Sequence, residues 1–83
     1  MLSLRQLRYA LAVWRERSFI RAAERLHVSQ PAISGQVRQL ETDIGFALFR
    51  RTGQGVETTE IGRTFLMQAE DVYFGAIRLS DTA

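Results

Sequence analysis

Between Ser29 and Ile44 the chain places small polar groups at helical spacing: Pro31, Ser34, Gly35, Arg38, Gln39 and Thr42 fall on one side, and Ile33, Val37, Leu40 and Ile44 on the other. Hydroxyls, primary amides and a guanidinium on a slim rod form hydrogen bonds with flat base edges and with phosphate oxygens. They are not the groups of covalent chemistry. The chain has no cysteine and a single histidine, His27, and no paired carboxylates share a clear face. An enzyme is therefore not expected, and neither a cofactor nor a metal is implied. A helix face meant only for water usually carries Glu–Lys pairs; this face carries none, which favours contact with a partner.

The elements that must hold this rod are legible around it. Ser29 is a natural N-cap, Pro31 suits a first helical turn, and Gly45 suits the C-cap. Upstream, Ser18 caps a shorter helix whose Phe19, Ala22, Ala23 and Leu26 form an inner stripe, and the paired alanines let a neighbouring helix cross closely. His27 and Val28 fall in the turn between the two helices, with His27 near enough to touch a phosphate. The pair reads as a helix-turn-helix over Ser18–Ile44. Ahead of it, Ser3-Leu4-Arg5-Gln6 is a capping-box pattern. It starts a supporting helix with Leu4, Leu7, Leu11 and Trp14 as the expected buried stripe, Arg8, Arg15, Glu16 and Arg17 facing away, and Arg15-Glu16-Arg17 ending it.

Downstream, Phe46, Leu48 and Phe49 are expected to fill the base of the fold. Arg50 to Thr58 reads as a β-hairpin, in which Gly53 and Gly55 allow the positive φ of a tight turn. Thr59 then caps a last helix, with Glu60 at its positive end, running to about Ser80. Phe65, Ala69, Val72, Ala76 and Leu79 repeat at spacings of four and three, with Leu66, Tyr73 and Ile77 on the flank. That is a coiled-coil-like seam too broad for one small domain to cover, so part of it is expected on the domain and part on a second copy. The fold class is thus mainly α: a winged helix-turn-helix of three core helices and a short hairpin over residues 1–58, then a linker and dimerisation helix over 59–83.

Charge follows the same division. Residues 1–58 carry nine arginines and five acids, and residues 59–83 two arginines and four acids. A basic front suits phosphates and an acidic tail does not. Every cation is Arg, whose planar fork matches phosphate oxygens. No apolar run approaches the roughly 18 residues that cross a bilayer, and Arg5 and Arg8 break any leader-like stretch. With no cysteine, a reducing cytoplasm is the expected location.

Taken together, Leu4, Leu7, Ser18-Phe19, Ala22-Ala23, Leu26, Ser29-Gln30-Pro31-Ala32, Ser34, Gln36, Leu40-Glu41, Gly45, Leu48-Phe49, Arg51-Thr52, Thr59 and Gly62 resemble the DNA-binding end of the LysR-type transcriptional regulators. The resemblance runs nearly the whole chain in order and without gaps. It implies a winged helix-turn-helix whose linker helices pair antiparallel into a homodimer on double-stranded DNA. It also implies a C-terminal domain, absent from this sequence, that senses a small-molecule effector. By position it assigns Gln30, Pro31, Ala32, Ser34 and Gly35 to base contacts. Ser18, Ser29, Arg38, Arg50, Arg51 and Gln54 go to the backbone and wing, and Phe65, Ala69, Val72, Tyr73, Ala76 and Leu79 to the dimer helix. Two positions depart from the family pattern: Gly35 replaces a longer polar or basic side chain, and Gln54 stands where the wing tip often carries Arg. Glu41 reads as structural, an internal partner for an arginine, and Arg38 as free or paired with Asp43. The competing reading is a helical protein-interaction adaptor that uses the 59–80 helix.

Overall fold

Ser3 closes the first helix with the expected reciprocal box: its hydroxyl accepts the Gln6 N–H at 3.2 Å, and the Gln6 side chain accepts the Ser3 N–H at 2.7 Å. This helix, α1 (Leu4–Glu16), ends at Arg17, which takes a left-handed conformation. In the computed structural model, which describes residues 1–82, it is followed by α2 (Phe19–Leu26), α3 (Gln30–Ile44), β1 (Phe49–Thr52), β2 (Gly55–Thr58) and α4 (Glu60–Thr82). Ala83, the end of the expected last segment, lies outside the described residues.

The buried stripe of α1 differs from expectation. Leu4 is 47% exposed and Trp14 half-buried, while Gln6, Leu7, Tyr9, Ala10, Leu11 and Val13 are buried. The reason is position: α1 packs against α2, α3, α4 and β2. A helix with neighbours on several sides buries more than one stripe. Glu16, expected to face away, is half-buried and lies 3.7 Å from Arg25 of α2. Ile33, Val37 and Leu40 of α3 meet this helix together with Leu48, Leu66 and Ala69.

One polar clasp joins α1 to the far end of α3. Asp43 accepts from Gln6 Nε2 at 3.2 Å and from Gln39 Nε2 at 3.0 Å, with the Met1 amine 3.7 Å away. These partners, the Gln6 hydrogen bond foremost, hold the Asp43 carboxyl below its ordinary value of 3.8. A depressed folded-state pKa contributes stability above the unfolded value, and that contribution is lost as pH falls through the folded one. Asp43→Asn should therefore flatten the acid limb of the stability curve below the ordinary carboxylate range, as read by denaturant melts across pH. An unaltered acid limb would show that the clasp contributes nothing.

The two strands pair antiparallel, Phe49 with Thr58 through Thr52 with Gly55, leaving Gly53 and Gln54 as the turn. The positive φ falls at Gly55 (130°) and not at Gly53, so only one of the two glycines has the expected role. Gly55 is also where the hairpin meets α1: a Cβ there would lie 2.9 Å from the Arg17 carbonyl oxygen. Leu48 is gripped on all sides. Its N–H donates to Glu41 Oε2 at 2.6 Å, its C=O accepts the Thr59 N–H at 2.9 Å, and a Cβ on Gly62 would come within 2.7 Å of its Cα. Glu41 also accepts the Phe49 N–H at 3.4 Å. Glu41 is structural as expected, but its partners are two backbone amides at the start of the hairpin and not an arginine.

Thr59 caps α4, accepting the Gly62 N–H at 2.9 Å. The helix continues to Thr82, two residues past the expected stop, because no glycine or proline interrupts it after Gly75. Its expected seam divides. Ala69 is buried, and Phe65 and Tyr73 are half-buried against the core, with Phe65 edge-to-face on Phe46. Val72 (58%) and Leu79 (74%) are exposed, as is Ile61 on the same side of the helix.

Candidate nucleic-acid interface

The turn between α2 and α3 is built from backbone geometry. His27 adopts φ 57°, and the N–H groups of His27 and Val28 bond back to the carbonyls of Glu24 and Ala23 at 3.2 and 3.0 Å. This is a Schellman closure, with histidine at the left-handed position where glycine is common. It satisfies the end of α2 and leaves Val28 packed on the core, so α3 starts at a fixed angle. Ser18 and Ser29 cap their helices by accepting N–H bonds from Arg21 (3.1 Å) and Ala32 (3.2 Å). Each hydroxyl keeps its own proton to give to an anion, beside the positive end of a helix dipole.

Of α3, Ile33 (0%), Val37 (2%) and Leu40 (0%) point into the molecule. Pro31, Ala32, Arg38, Gln39 and Thr42 are exposed. Gln30, Ser34 and Gly35 are half-buried, less open than the spacing alone implied. Gln30 and Ser34 are also coupled, since Gln30 Nε2 donates to Ser34 Oγ at 3.2 Å. That bond fixes the Gln30 side chain along the helix axis and leaves its carbonyl oxygen and the Ser34 proton for an outside group. Nothing stands within 4 Å of where a Gly35 side chain would begin, so this stretch of the rod is slim.

The hairpin supplies the second part of the surface. Strand pleating sends Arg50 and Arg51, both expected at the base of the wing, to opposite faces. Arg50 lies 3.4 Å from Glu57, directly across the ladder, and reaches the Thr58 carbonyl. Arg51 turns toward α3, where it lines a groove with Phe19, Ser34, Val37, Arg38, Glu41 and Phe49; Glu41 spends its carboxylate on the Leu48 and Phe49 amides. Among the described residues neither Arg38 nor Arg51 has a carboxylate partner, since Asp43 is engaged by Gln6 and Gln39. Gln54 is exposed at the wing tip, its N–H bonded to Thr52 Oγ1 at 3.2 Å. The geometry therefore joins Ser34, Arg38 and Arg51 along one groove, with Gln30 bonded to Ser34, Ser18 and Ser29 at the starts of α2 and α3, and Arg50 on the other face of β1 beside Glu57.

Sequence reasoning did not bring Phe19 into this site. Its place on the inner stripe of α2 marks it as core, and it is 8% exposed, but its ring also carries the Arg51 guanidinium 4.5 Å from its centroid. The signal was the two-residue spacing of Phe49 and Arg51, which puts both on one strand face. No group of three His, Cys, Asp or Glu residues able to hold a metal gathers among the described residues, and no helix is long and apolar enough to cross a membrane.

The chain is similar to known proteins in sequence and in fold. The family model for bacterial regulatory helix-turn-helix proteins of the lysR family matches residues 4–63. The RuBisCO operon transcriptional regulator of Allochromatium vinosum is 62% identical over 61 residues, covering 74% of this chain and 20% of the relative. The HTH-type transcriptional regulator BudR of Klebsiella aerogenes is 48% identical over 82 residues, covering 99% of this chain and 54% of its own length. This chain thus spans at most about half of either relative. Among solved structures, a CbnR DBD–DNA complex superimposes with a TM-score of 0.91 at 41% identity, covering 98% of this chain and 93% of that one. With residues 4–63 matched in this way, the chain belongs to the lysR family of bacterial regulatory helix-turn-helix proteins.

Proposed function

We propose that this chain is the sequence-specific, double-stranded-DNA-binding part of a cytoplasmic transcriptional regulator and that it works as a homodimer. The observation that carries this reading is the division of α3: one flank is sealed in the core, while the other stands open beside two arginines, Arg38 and Arg51, that enter no ion pair among the described residues. The CbnR complex supports it, being a protein of the same fold bound to DNA. In this reading residues 1–58 grip the duplex, with the exposed flank of α3 in the major groove. Residues from 59 onward pair with a second copy, and effector sensing belongs to a C-terminal domain outside this sequence.

Affinity for a duplex should fall linearly on a logarithmic salt scale, with a slope of about −0.9 for each phosphate neutralised. Selection from a random duplex pool should return a two-fold site, its half-sites separated by one or more turns of about 34 Å. No binding to any duplex at low salt, or binding indifferent to salt, would refute the reading. Gln30→Ala should cost about 1–3 kcal/mol on the selected site and relax preference at one base position. An unchanged base profile would reduce Gln30 to a residue that starts the helix.

The exposed Val72 and Leu79 give a second reading some footing: α4 as a docking helix for a different protein. Sedimentation across a concentration series separates the two, since a discrete homodimer favours the first and a monomer that pairs only with another protein favours the second.

A further inference from the structure

Phe19 sits at the start of α2, outside the rod and the wing, yet two side chains from one face of β1 converge on its ring. Phe49 meets it edge-to-face at 6.0 Å between centroids and 79° between planes. Arg51, two residues on, holds its guanidinium carbon 4.5 Å from the same centroid. We propose that Phe19 is a positioning residue for DNA binding: its ring holds the Arg51 guanidinium beside α3 before DNA arrives, with the donor edge free for a phosphate. The inference rests on the DNA-binding reading above and deepens it.

The physical case has three parts. Arg51 forms no ion pair among the described residues, since Glu41 in the same groove accepts the Leu48 and Phe49 amides, and its guanidinium lies over the Phe19 ring. A ring quadrupole attracts a cation over its face, and stacking occupies the flat of the guanidinium while leaving the N–H fork at its edge unused. A carboxylate in the same place would compete for those donors, as Glu57 does for Arg50 Nε. The ring itself is fixed, being 8% exposed and wedged against Phe49. Phe49 is anchored in turn, because its N–H donates to Glu41 of α3. Without this seat a long arginine side chain is free in the unbound protein and must be ordered on binding.

Replacing Phe19 by pentafluorophenylalanine tests this, because ring shape and burial stay while the sign of the face reverses. The probe is a mixed-sequence duplex of about 30 base pairs at low salt, where phosphate contacts dominate. Affinity should fall roughly three- to tenfold, the size of a partly shielded cation–π contact, with an unchanged salt slope because the phosphate is still reached. In an Arg51→Ala background the same replacement should have no effect, and Arg51→Ala alone should lower the slope by about one. An equal loss with and without Arg51 would mean that the altered contact with Phe49 is responsible, and would overturn the proposal. So would full affinity of the fluorinated protein alongside a weakened Arg51→Ala. If Arg51→Ala itself binds as the parent does, the backbone-grip reading of Arg51 fails first, and the positioning role falls with it.

Discussion

Gly62→Val should lower the melting temperature by roughly 12–24 °C. The new Cβ would be placed 2.7 Å from the Leu48 Cα and against the Leu48 carbonyl, both of them backbone. A side chain can rotate out of the way, but this segment cannot, because its N–H is bonded to Glu41 and its C=O to Thr59. Relief requires either α4 or the Phe46–Leu48 segment to shift. Overpacking of this kind costs on the order of 3 kcal/mol, and in a domain of this size each kcal/mol moves the midpoint by about 4–8 °C. Gly62→Ala introduces the same Cβ, offset by about 1 kcal/mol of better helix propensity, so it should fall between parent and valine. Thermal melts followed by circular dichroism check this. A valine variant within a few degrees of the parent would mean that α4 and Leu48 do not need to touch.

Val72→Glu should abolish the homodimer and weaken binding to a two-fold duplex by roughly 100-fold, the usual scale of avidity from joining two modest contacts. Within its own chain Val72 is 58% exposed, so the monomer should be left stable to within about 0.5 kcal/mol. In a paired helix seam the same carboxylate would be buried without a counter-charge. Sedimentation should report a monomer, while the circular dichroism spectrum stays that of the parent. A variant that remains dimeric would place the interface away from the Ile61–Val72–Leu79 side of α4.

Much of this was written in the sequence because it depends on local signals. Ser3, Ser18, Ser29 and Thr59 each cap the helix they were expected to cap, and Gly45 ends α3 in the left-handed conformation. Periodicity identified the buried side of α3 because that helix has one dry face. It failed for α1, whose several neighbours bury residues off any single stripe. The candidate surface was legible as a set of residues but not as an arrangement. Arg50 and Arg51 are adjacent in the chain and look equivalent; only pairing with β2 sends one to Glu57 and the other to Phe19. Glu41 offered an arginine partner by charge, whereas the amides it accepts lie seven and eight residues on, and no helical spacing announces them.

The grip on Leu48 also has a mechanical meaning. It ties the end of α3, the first strand and the start of α4 into one rigid joint, and α4 extends about 35 Å from there. In the proposed dimer that helix acts as a lever arm. A tilt of about 5° at the joint would displace the opposite end by about 3 Å, close to the roughly 3.4 Å step between stacked base pairs. In that dimer the stiffness of a single leucine peptide would set how finely the separation between the two proposed reading surfaces is held.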